Sequence, residues 1–135
     1  MSKTANVDRL MAKAGQAASS ARLLLDAGDV DGACNRAYYA MFDAARAALM
    51  VSESPVSPDI SKTHAGLIAA FGLHLVKKGL VPHELGRLFN RAEEIRLVAD
   101  YRGDAVEYGD AQEMVEQAEH FVAAIRAQFI PEQEK

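Results

Sequence analysis

Residues 30–51 decide the fold; they read VDGACNRAYYAMFDAARAALMV. Apolar residues recur in this stretch at the spacing of three and four that builds helix faces. Small residues permit close approach of neighbouring helices, and this stretch has Ala33, Ala37, Ala40, Ala44 and Ala48. A second set fills the volume between the helices, namely Tyr38, Met41, Phe42, Ala45 and Leu49. The pattern predicts a long central helix, which Asp29 or Asp31 can cap.

Four more segments repeat their apolar residues at the same spacing. We expect helices over residues 7–27, from Ser61 or Thr63 to Gly79, from Pro82 to about Tyr101, and from Asp110 to about Pro131. Pro55 and Pro58 interrupt the pattern, so residues 52–61 are expected to form an exposed loop. The sequence therefore predicts an all-α fold, an antiparallel up-and-down bundle of four long helices plus a shorter fifth.

The composition fits one domain. The chain has 135 residues, of which 50% are hydrophobic and 25% charged, so it can bury one core but has little room for a second. We expect a single helical domain over residues 1–135 with its core at about 7–129. The chain has no apolar run long enough to span a membrane and no signal segment, so we expect a cytoplasmic protein without membrane contact.

Metal sites and disulfides are not expected. Cys34 is the single cysteine and has no cysteine or histidine at zinc-finger spacing. His74, His83 and His120 stand in no regular relation to one another or to carboxylates. Glycine-rich phosphate loops and nucleophile elbows are absent as well, and no cofactor is expected.

The charge is distributed unevenly. The net charge is −4, which argues against binding nucleic acid over the whole surface. Residues 1–60 carry −1, residues 61–102 carry +3 and residues 103–135 carry −6. The basic middle segment either forms a local anion-binding surface or neutralises the acidic faces of neighbouring helices.

The central helix carries an unusual polar set among its small residues: Asn35, Arg36, Tyr38, Tyr39 and Asp43. Tyr39 and Asp43 are four residues apart and Arg36 lies one turn earlier, so the three share a face. Such a strip can bind a ligand, or it can be structural, with the tyrosines bonding outward and Asp43 paired with an arginine of another helix, for which Arg96 is a candidate.

Two further groups of polar residues could carry chemistry. The fourth helix holds Arg87, Arg91, Glu94, Arg96 and Asp100, followed by Tyr101 and Arg102. Arg96 and Asp100 are four residues apart and can stabilise the helix as a pair or hold a phosphate. Lys62 and His64 open the third helix, where a cation, an imidazole and free N–H groups could meet an anion.

With these residues laid out, the chain resembles the HEPN family of small helical domains, many of them encoded beside a minimal nucleotidyltransferase. The resemblance rests on four blocks that cover most of residues 7–129: Ala37 to Ala45 with Ala48-Leu49, Lys62-Thr63-His64-Ala65-Gly66, Phe71-Gly72, and Arg96 followed by Ala99-Asp100-Tyr101. It implies a helical bundle that forms a homodimer, with its polar residues in a cleft near the dimer interface. It also implies RNA or nucleotides as ligands.

The chain departs from the ribonuclease members of that family, which carry an arginine followed after four to six residues by a histidine. After Arg96 the sequence reads LVADYRG, and no arginine in the chain has a histidine five to seven positions later. In relatives with the same second-helix block a histidine often stands at the position of Asp43. Metal-free RNA cleavage needs a proton acceptor that works near neutral pH, which imidazole supplies and a carboxylate beside arginine does not.

Three hypotheses follow. The first is a non-catalytic or weakly active HEPN module that binds RNA or a nucleotide through Arg36, Tyr38, Tyr39, Asp43, Lys62 and Tyr101, paired with a nucleotidyltransferase in a toxin/antitoxin-like system. The second is a metal-independent ribonuclease toxin in which Arg96 binds phosphate and Asp100 or His64 transfers protons. The third is a dimeric scaffold whose polar strip is structural. All three depend on the second and fourth helices lying side by side.

Overall fold

The chain is described by a computed structural model that covers residues 3–53, 63–98 and 106–130. Within these ranges it forms five α-helices and no strand: α1 (Lys3–Asp26), α2 (Val30–Val51), α3 (His64–Phe71), α4 (His83–Leu97) and α5 (Tyr108–Phe129). A π-helical segment, Gly72–Val76, continues α3. None of the helices in these ranges combines the length and apolarity needed to cross a bilayer. The all-α bundle predicted from the sequence is confirmed.

The helix ends follow local sequence signals. Gly28 ends α1 with a φ of 87°, a left-handed conformation that glycine adopts without steric cost. Asp29 then caps α2, since its side chain accepts a hydrogen bond of 2.9 Å from the Gly32 amide. The helix start predicted at Asp110 is wrong: α5 begins at Tyr108, and Asp110 lies inside its first turn. A carboxylate there still interacts favourably with the helix dipole.

The central helix of the bundle is α2, which packs against α1, α3, α4 and α5. Its alanines are fully buried and bring α1 close. The outer helices α1 and α5 are tied by Arg22, which donates two hydrogen bonds to Glu119 at 2.7 and 3.1 Å. Further along, Arg126 of α5 donates to the main-chain oxygen of Met11. The later residue of α1, Arg22, contacts the earlier residue of α5, Glu119, and the earlier Met11 contacts the later Arg126. The helices α1 and α5 are therefore antiparallel.

The third helix differs from the regular α-helix expected up to Gly79. From Gly72 onwards the main-chain hydrogen bonds span five residues instead of four, as in the bond that the Lys77 amide donates to the Gly72 carbonyl. A π turn accommodates one extra residue and shifts the phase of the following side chains. Leu75 is thereby fully buried while Leu73 is 52% exposed.

Aromatic side chains connect the core to the polar face of α2. Phe71, Phe89 and Phe121 lie with ring centroids 5.5–5.6 Å apart. Phe89 also packs on Tyr38, at 6.0 Å. Tyr38 is fully buried, yet its hydroxyl reaches the edge of the core. The hydrophobic core therefore fixes the position of that hydroxyl.

Candidate functional site

The start of α3 brings a histidine to the tyrosines of α2. The hydroxyl of Thr63 caps α3 by accepting a hydrogen bond of 2.9 Å from the Gly66 amide. This cap places His64 at the first helical position. The Nδ1 atom of His64 lies 2.9 Å from the Tyr38 hydroxyl and its Nε2 atom lies 3.4 Å from the Tyr39 hydroxyl. The two adjacent tyrosines thus hold both nitrogens of one imidazole.

Ring packing fixes the orientation of the imidazole as well. The rings of His64 and Tyr38 are parallel within 3°, with centroids 5.3 Å apart. Tyr39 meets His64 edge-on, at 82° and 5.6 Å. Phe42 lies 5.1 Å from the imidazole on a further side. The side chain of His64 remains 30% exposed, so one part of the ring faces solvent.

The fourth helix supplies a carboxylate and a guanidinium to the same place. Glu93 Oε1 lies 3.0 Å from Arg96 Nε and 3.9 Å from His64 Nδ1. The Arg96 guanidinium carbon lies 4.9 Å from the centroid of the Tyr38 ring, within the range of a cation–π interaction. The structure therefore brings together Tyr38, Tyr39, His64, Glu93 and Arg96, which we call the His64 cluster.

Next to this cluster, α2 presents cations on both sides of a buried carboxylate. The guanidinium of Arg36 lies 5.9 Å from the Tyr39 ring centroid. Asp43 is only 7% exposed, and the charges of Lys13, Arg46 and Arg36 act on it. We call Lys13, Arg36 and Arg46 the basic strip. It adjoins the His64 cluster through Tyr39.

The predicted partnership of Asp43 with Arg96 is wrong. Arg96 pairs with Glu93 and lies over the Tyr38 ring, whereas the cations that act on Asp43 come from α1 and α2. Tyr38 and Asp43 are five residues apart on α2, so they point about 140° apart around its axis. The side of α2 that faces α4 is therefore not the side that carries Asp43.

Burial and charge set the protonation of the cluster. Desolvation lowers the pKa of His64, the positive charge of Arg96 lowers it further, and Glu93 acts in the opposite direction. Burial raises the pKa of the Tyr38 hydroxyl, and the negative charge of Glu93 adds to this. At neutral pH the site therefore holds a neutral imidazole and an uncharged phenol. Burial also raises the pKa of Asp43, although the positive charges of Lys13, Arg46 and Arg36 lower it.

The structure brings some of the predicted residues together and adds one that was not predicted. Of the predicted residues, Tyr38, Tyr39, His64 and Arg96 meet in the cluster, while Arg36 and Asp43 lie beside it. Lys62, Asp100 and Tyr101 lie outside the described residues. Glu93 was not predicted. Its spacing of three residues from Arg96 is the signal that could have pointed to it.

The opposite side of α4 has a different electrostatic character. Two open cavities of about 280 and 320 Å³ lie between α4 and α5. Carboxylates predominate among the titratable residues around them, which are Arg91, Glu94, Glu107 and Asp110 in one cavity and Glu84, Glu113, Glu116 and His120 in the other. An anion is disfavoured there. Across the described parts of the chain, no three His, Cys, Asp or Glu side chains form a group able to hold a metal ion.

Comparison with known proteins assigns the chain to a family. The HEPN domain model matches residues 7–128. A UPF0332 protein of Gloeobacter violaceus is 37% identical over 84% of this chain and 87% of its own length. A protein of Methanocaldococcus jannaschii that is named as a toxin candidate is 34% identical over 80% of this chain and 77% of its own. A UPF0332 protein of Thermotoga maritima is 36% identical, with 84% and 83% covered. The chain therefore belongs to the HEPN domain family.

Proposed function

We propose that this HEPN domain binds single-stranded RNA or a nucleotide at the surface formed by the His64 cluster and the basic strip. The observation that carries the proposal is the position of the His64 imidazole, held between the hydroxyls of Tyr38 and Tyr39 at 2.9 and 3.4 Å. The partly exposed His64 ring and the half-buried Tyr39 offer both stacking and hydrogen bonding at one place. Ligands that combine a base with a ribose can use both.

Electrostatics favour this side of the molecule for an anionic ligand. Lys13, Arg36 and Arg46 supply three cations around the single buried carboxylate of Asp43. The cavities between α4 and α5 are mainly acidic by comparison. A phosphate is therefore attracted to the α2 face and disfavoured on the α4–α5 face.

Tyr39 is the residue best placed to stack a base. It is half-buried, and Arg36 lies beside its ring, an arrangement of aromatic and arginine side chains that suits unpaired bases. Tyr38 is fully buried and offers no stacking surface. We therefore assign stacking to Tyr39 and a supporting role to Tyr38.

Titration with AMP and with a short single-stranded RNA, followed by calorimetry, tests the binding. Each arginine of the basic strip that is replaced removes one phosphate contact, so Arg36→Gln and Arg46→Gln should weaken binding, and the affinity of the RNA should depend less steeply on salt. Arg87→Gln makes the same change of charge at an exposed position of α4 and should leave binding unchanged. Absence of binding by the wild-type protein would leave the dimeric scaffold as the better interpretation.

We further propose that the domain acts in a toxin/antitoxin-like pair with a nucleotidyltransferase. The family membership and the relative that is named as a toxin candidate support this. We expect a minimal nucleotidyltransferase gene next to the gene of this protein, and co-expression of the two should yield a complex that elutes as one species. Separate elution of the two proteins at micromolar concentration contradicts the pairing.

A homodimer is part of the same proposal. Arg36, Tyr39, Arg46 and Met50 of α2 are only partly covered by the rest of the bundle. A second copy could cover part of this surface and form a cleft together with it. Light scattering after size exclusion should give twice the mass of the 14.6 kDa chain, and a mass that stays at one chain contradicts the dimer.

The partial exposure of the His64 side chain, 30%, favours a second candidate function, metal-independent cleavage of RNA. The lowered pKa of His64 keeps a neutral imidazole available at physiological pH, as a general base requires. In this reaction His64 takes the proton of a ribose 2′-hydroxyl, the 2′-oxygen attacks phosphorus, and the 5′-oxygen leaves with a proton from solvent. Arg96 would stabilise charge near the cluster, although its side chain is only 8% exposed.

Incubation of the protein with RNA in EDTA separates cleavage from binding. Cleavage that is lost in His64→Asn and retained in His120→Asn, a change at an exposed histidine of α5, would support the ribonuclease. Intact RNA at protein concentrations that saturate binding would remove it and leave the binding module.

A further inference from the structure

Asp43 is a buried carboxylate that makes no bond to the rest of the described chain. It is 7% exposed, and within residues 3–53, 63–98 and 106–130 it neither accepts a hydrogen bond nor forms an ion pair. In those ranges the one fully enclosed side-chain nitrogen or oxygen without a partner is Nδ1 of His74, so the Asp43 oxygens still reach the surface. Buried carboxylates are normally hydrogen-bonded, and an exception calls for a partner from outside the chain.

The position of Asp43 on α2 shows where such a partner would come from. Steps of three and four residues keep side chains on one face of a helix, and these steps connect Arg36, Tyr39, Asp43, Arg46 and Met50. Between residues 36 and 50, every residue outside this line is buried, whereas its members other than Asp43 are partly exposed. The carboxylate therefore lies in the accessible line of α2, between Tyr39 and Arg46.

The carboxylate does not lack a countercharge. The positive charges of Lys13, Arg46 and Arg36 act on it, yet none of the three is bonded to it. A further cation would be repelled by these three. What the Asp43 oxygens lack is a donor at short range, and a neutral hydroxyl supplies one without adding charge.

The order of the side chains along α2 matches the order of the groups in a nucleotide. Tyr39, to which we assign base stacking, lies four residues before Asp43, and Arg46 lies three residues after it, which gives steps of about 6 and 4.5 Å along the axis. In a nucleotide the ribose lies between the base and the phosphate. A base on Tyr39 and a phosphate at Arg46 leave the ribose beside Asp43.

Building on the proposed function, we propose that Asp43 accepts a hydrogen bond from the ribose 2′-hydroxyl of the ligand and so selects ribonucleotides over deoxyribonucleotides. The 2′-hydroxyl is the group by which a protein distinguishes RNA from DNA. Within an RNA strand the 3′-oxygen is esterified while the 2′-hydroxyl stays free to donate. The same contact is therefore open to RNA and to a free ribonucleotide, and Arg46 binds the phosphate of either.

Calorimetric titration with AMP and with 2′-deoxy-AMP measures the selection. The wild-type protein should bind AMP about tenfold more tightly, because the deoxy compound lacks one hydrogen bond to a charged group. Asp43→Ala removes both acceptor oxygens and should bind the two nucleotides equally. Asp43→Asn keeps the shape and one acceptor and should show a smaller preference. Asp31→Ala removes an exposed carboxylate of the same helix and should keep the full preference.

Arg46→Gln separates the sugar contact from the phosphate contact. This variant loses a cation that both nucleotides use, so it should weaken AMP and 2′-deoxy-AMP by the same factor. The ratio of the two affinities should stay at the wild-type value. A ratio that collapses in Arg46→Gln would mean that the preference does not come from Asp43.

The outcomes separate this inference from the proposed function. Equal binding of AMP and 2′-deoxy-AMP by the wild-type protein, or a preference that persists in Asp43→Ala, overturns the role of Asp43 and leaves the binding surface in place. A preference that is lost in the Asp43 variants alone supports the role. If neither nucleotide nor RNA binds the wild-type protein, the proposed function and this inference fall together.

Discussion

His64 is the central residue of the candidate site. Its imidazole is partly exposed, and its other sides are next to aromatic rings and Arg96. Both surroundings disfavour its charged form. The site consequently offers a neutral nitrogen base at physiological pH, next to cations that attract phosphate. This combination distinguishes the His64 cluster from the other described histidines, of which His120 lies 56% exposed beside Glu84.

The lowered pKa of His64 predicts a pH dependence of stability. The unfolded histidine takes up a proton near pH 6.5, whereas the folded one resists it until a lower pH. The free energy of unfolding should therefore fall as the pH drops below about 6.5, and more steeply in the wild type than in His64→Asn. Urea unfolding at a series of pH values measures this. Parallel curves for the two proteins would show that His64 titrates alike when folded and unfolded.

Because Asp43 is a buried carboxylate, we expect the folded protein to become more stable when its charge is removed. Burial raises the pKa of this carboxyl despite Lys13, Arg46 and Arg36, so its ionised form is less favourable in the folded protein than in the unfolded chain at neutral pH. Asp43→Asn should raise the melting temperature at pH 7, and the difference should disappear in acid as Asp43 itself becomes protonated. Asp31→Asn, exposed on the same helix, serves as the control. A lower melting temperature of Asp43→Asn would contradict the argument.

At the scale of the helices, the caps decide where the site residues stand. Asp29 fixes the start of α2, and Thr63 fixes the start of α3 directly before His64. If α3 began one residue later, His64 would leave the helix and lose its position between the tyrosines. Local hydrogen bonds thus set a contact between residues that are 25 and 26 positions apart in the chain.

The cap of α2 can be tested by substitution. Asp29→Ala removes the acceptor of the Gly32 amide and should cost about 1 kcal/mol of unfolding free energy, the usual effect of losing an N-cap. Asp31→Ala removes a carboxylate of the same first turn that makes no cap bond and should cost less. Chemical denaturation compares the two variants. Equal losses would mean that charge near the helix N-terminus matters more than the capping bond.

At the scale of the whole molecule, one cluster of buried aromatic rings packs against Tyr38 of the His64 cluster. Phe89 contacts Phe71, Phe121 and Tyr38, so it connects α2, α3, α4 and α5. Phe89→Ala should cost about 3–5 kcal/mol, a large part of the stability of a domain of this size. Tyr108→Ala, 46% exposed, should change stability by less than about 0.5 kcal/mol. A small loss in Phe89→Ala, measured by urea unfolding, would contradict the placement of this ring at the centre.

The fold could be predicted further than the site. Alanine spacing on α2, Gly28, Asp29 and the prolines are local signals, and they located the helices to within a few residues where the structure describes them. The contacts of Asp43 and Arg96 depend instead on how each helix is rotated about its axis, and one residue changes that rotation by about 100°. The Asp43–Arg96 pairing was wrong and Glu93 was missed for this reason.

Local sequence signals also failed to predict the π turn at Gly72 and the start of α5 ahead of Asp110. Periodicity indicates that a helix continues but does not distinguish a turn that holds one extra residue. An aspartate suits both the cap and the first turn of a helix. Packing of Leu75 into the core settles the first case, and such packing is a property of the assembled bundle.

The most direct test of the central claim is the proton and nitrogen NMR spectrum of the four histidines during titration with a short single-stranded RNA. If the surface formed by the His64 cluster and the basic strip is the binding site, the imidazole signals of His64 shift to saturation while those of His120 stay in place. Saturated binding that leaves the His64 signals unmoved would show that the RNA binds elsewhere on the protein.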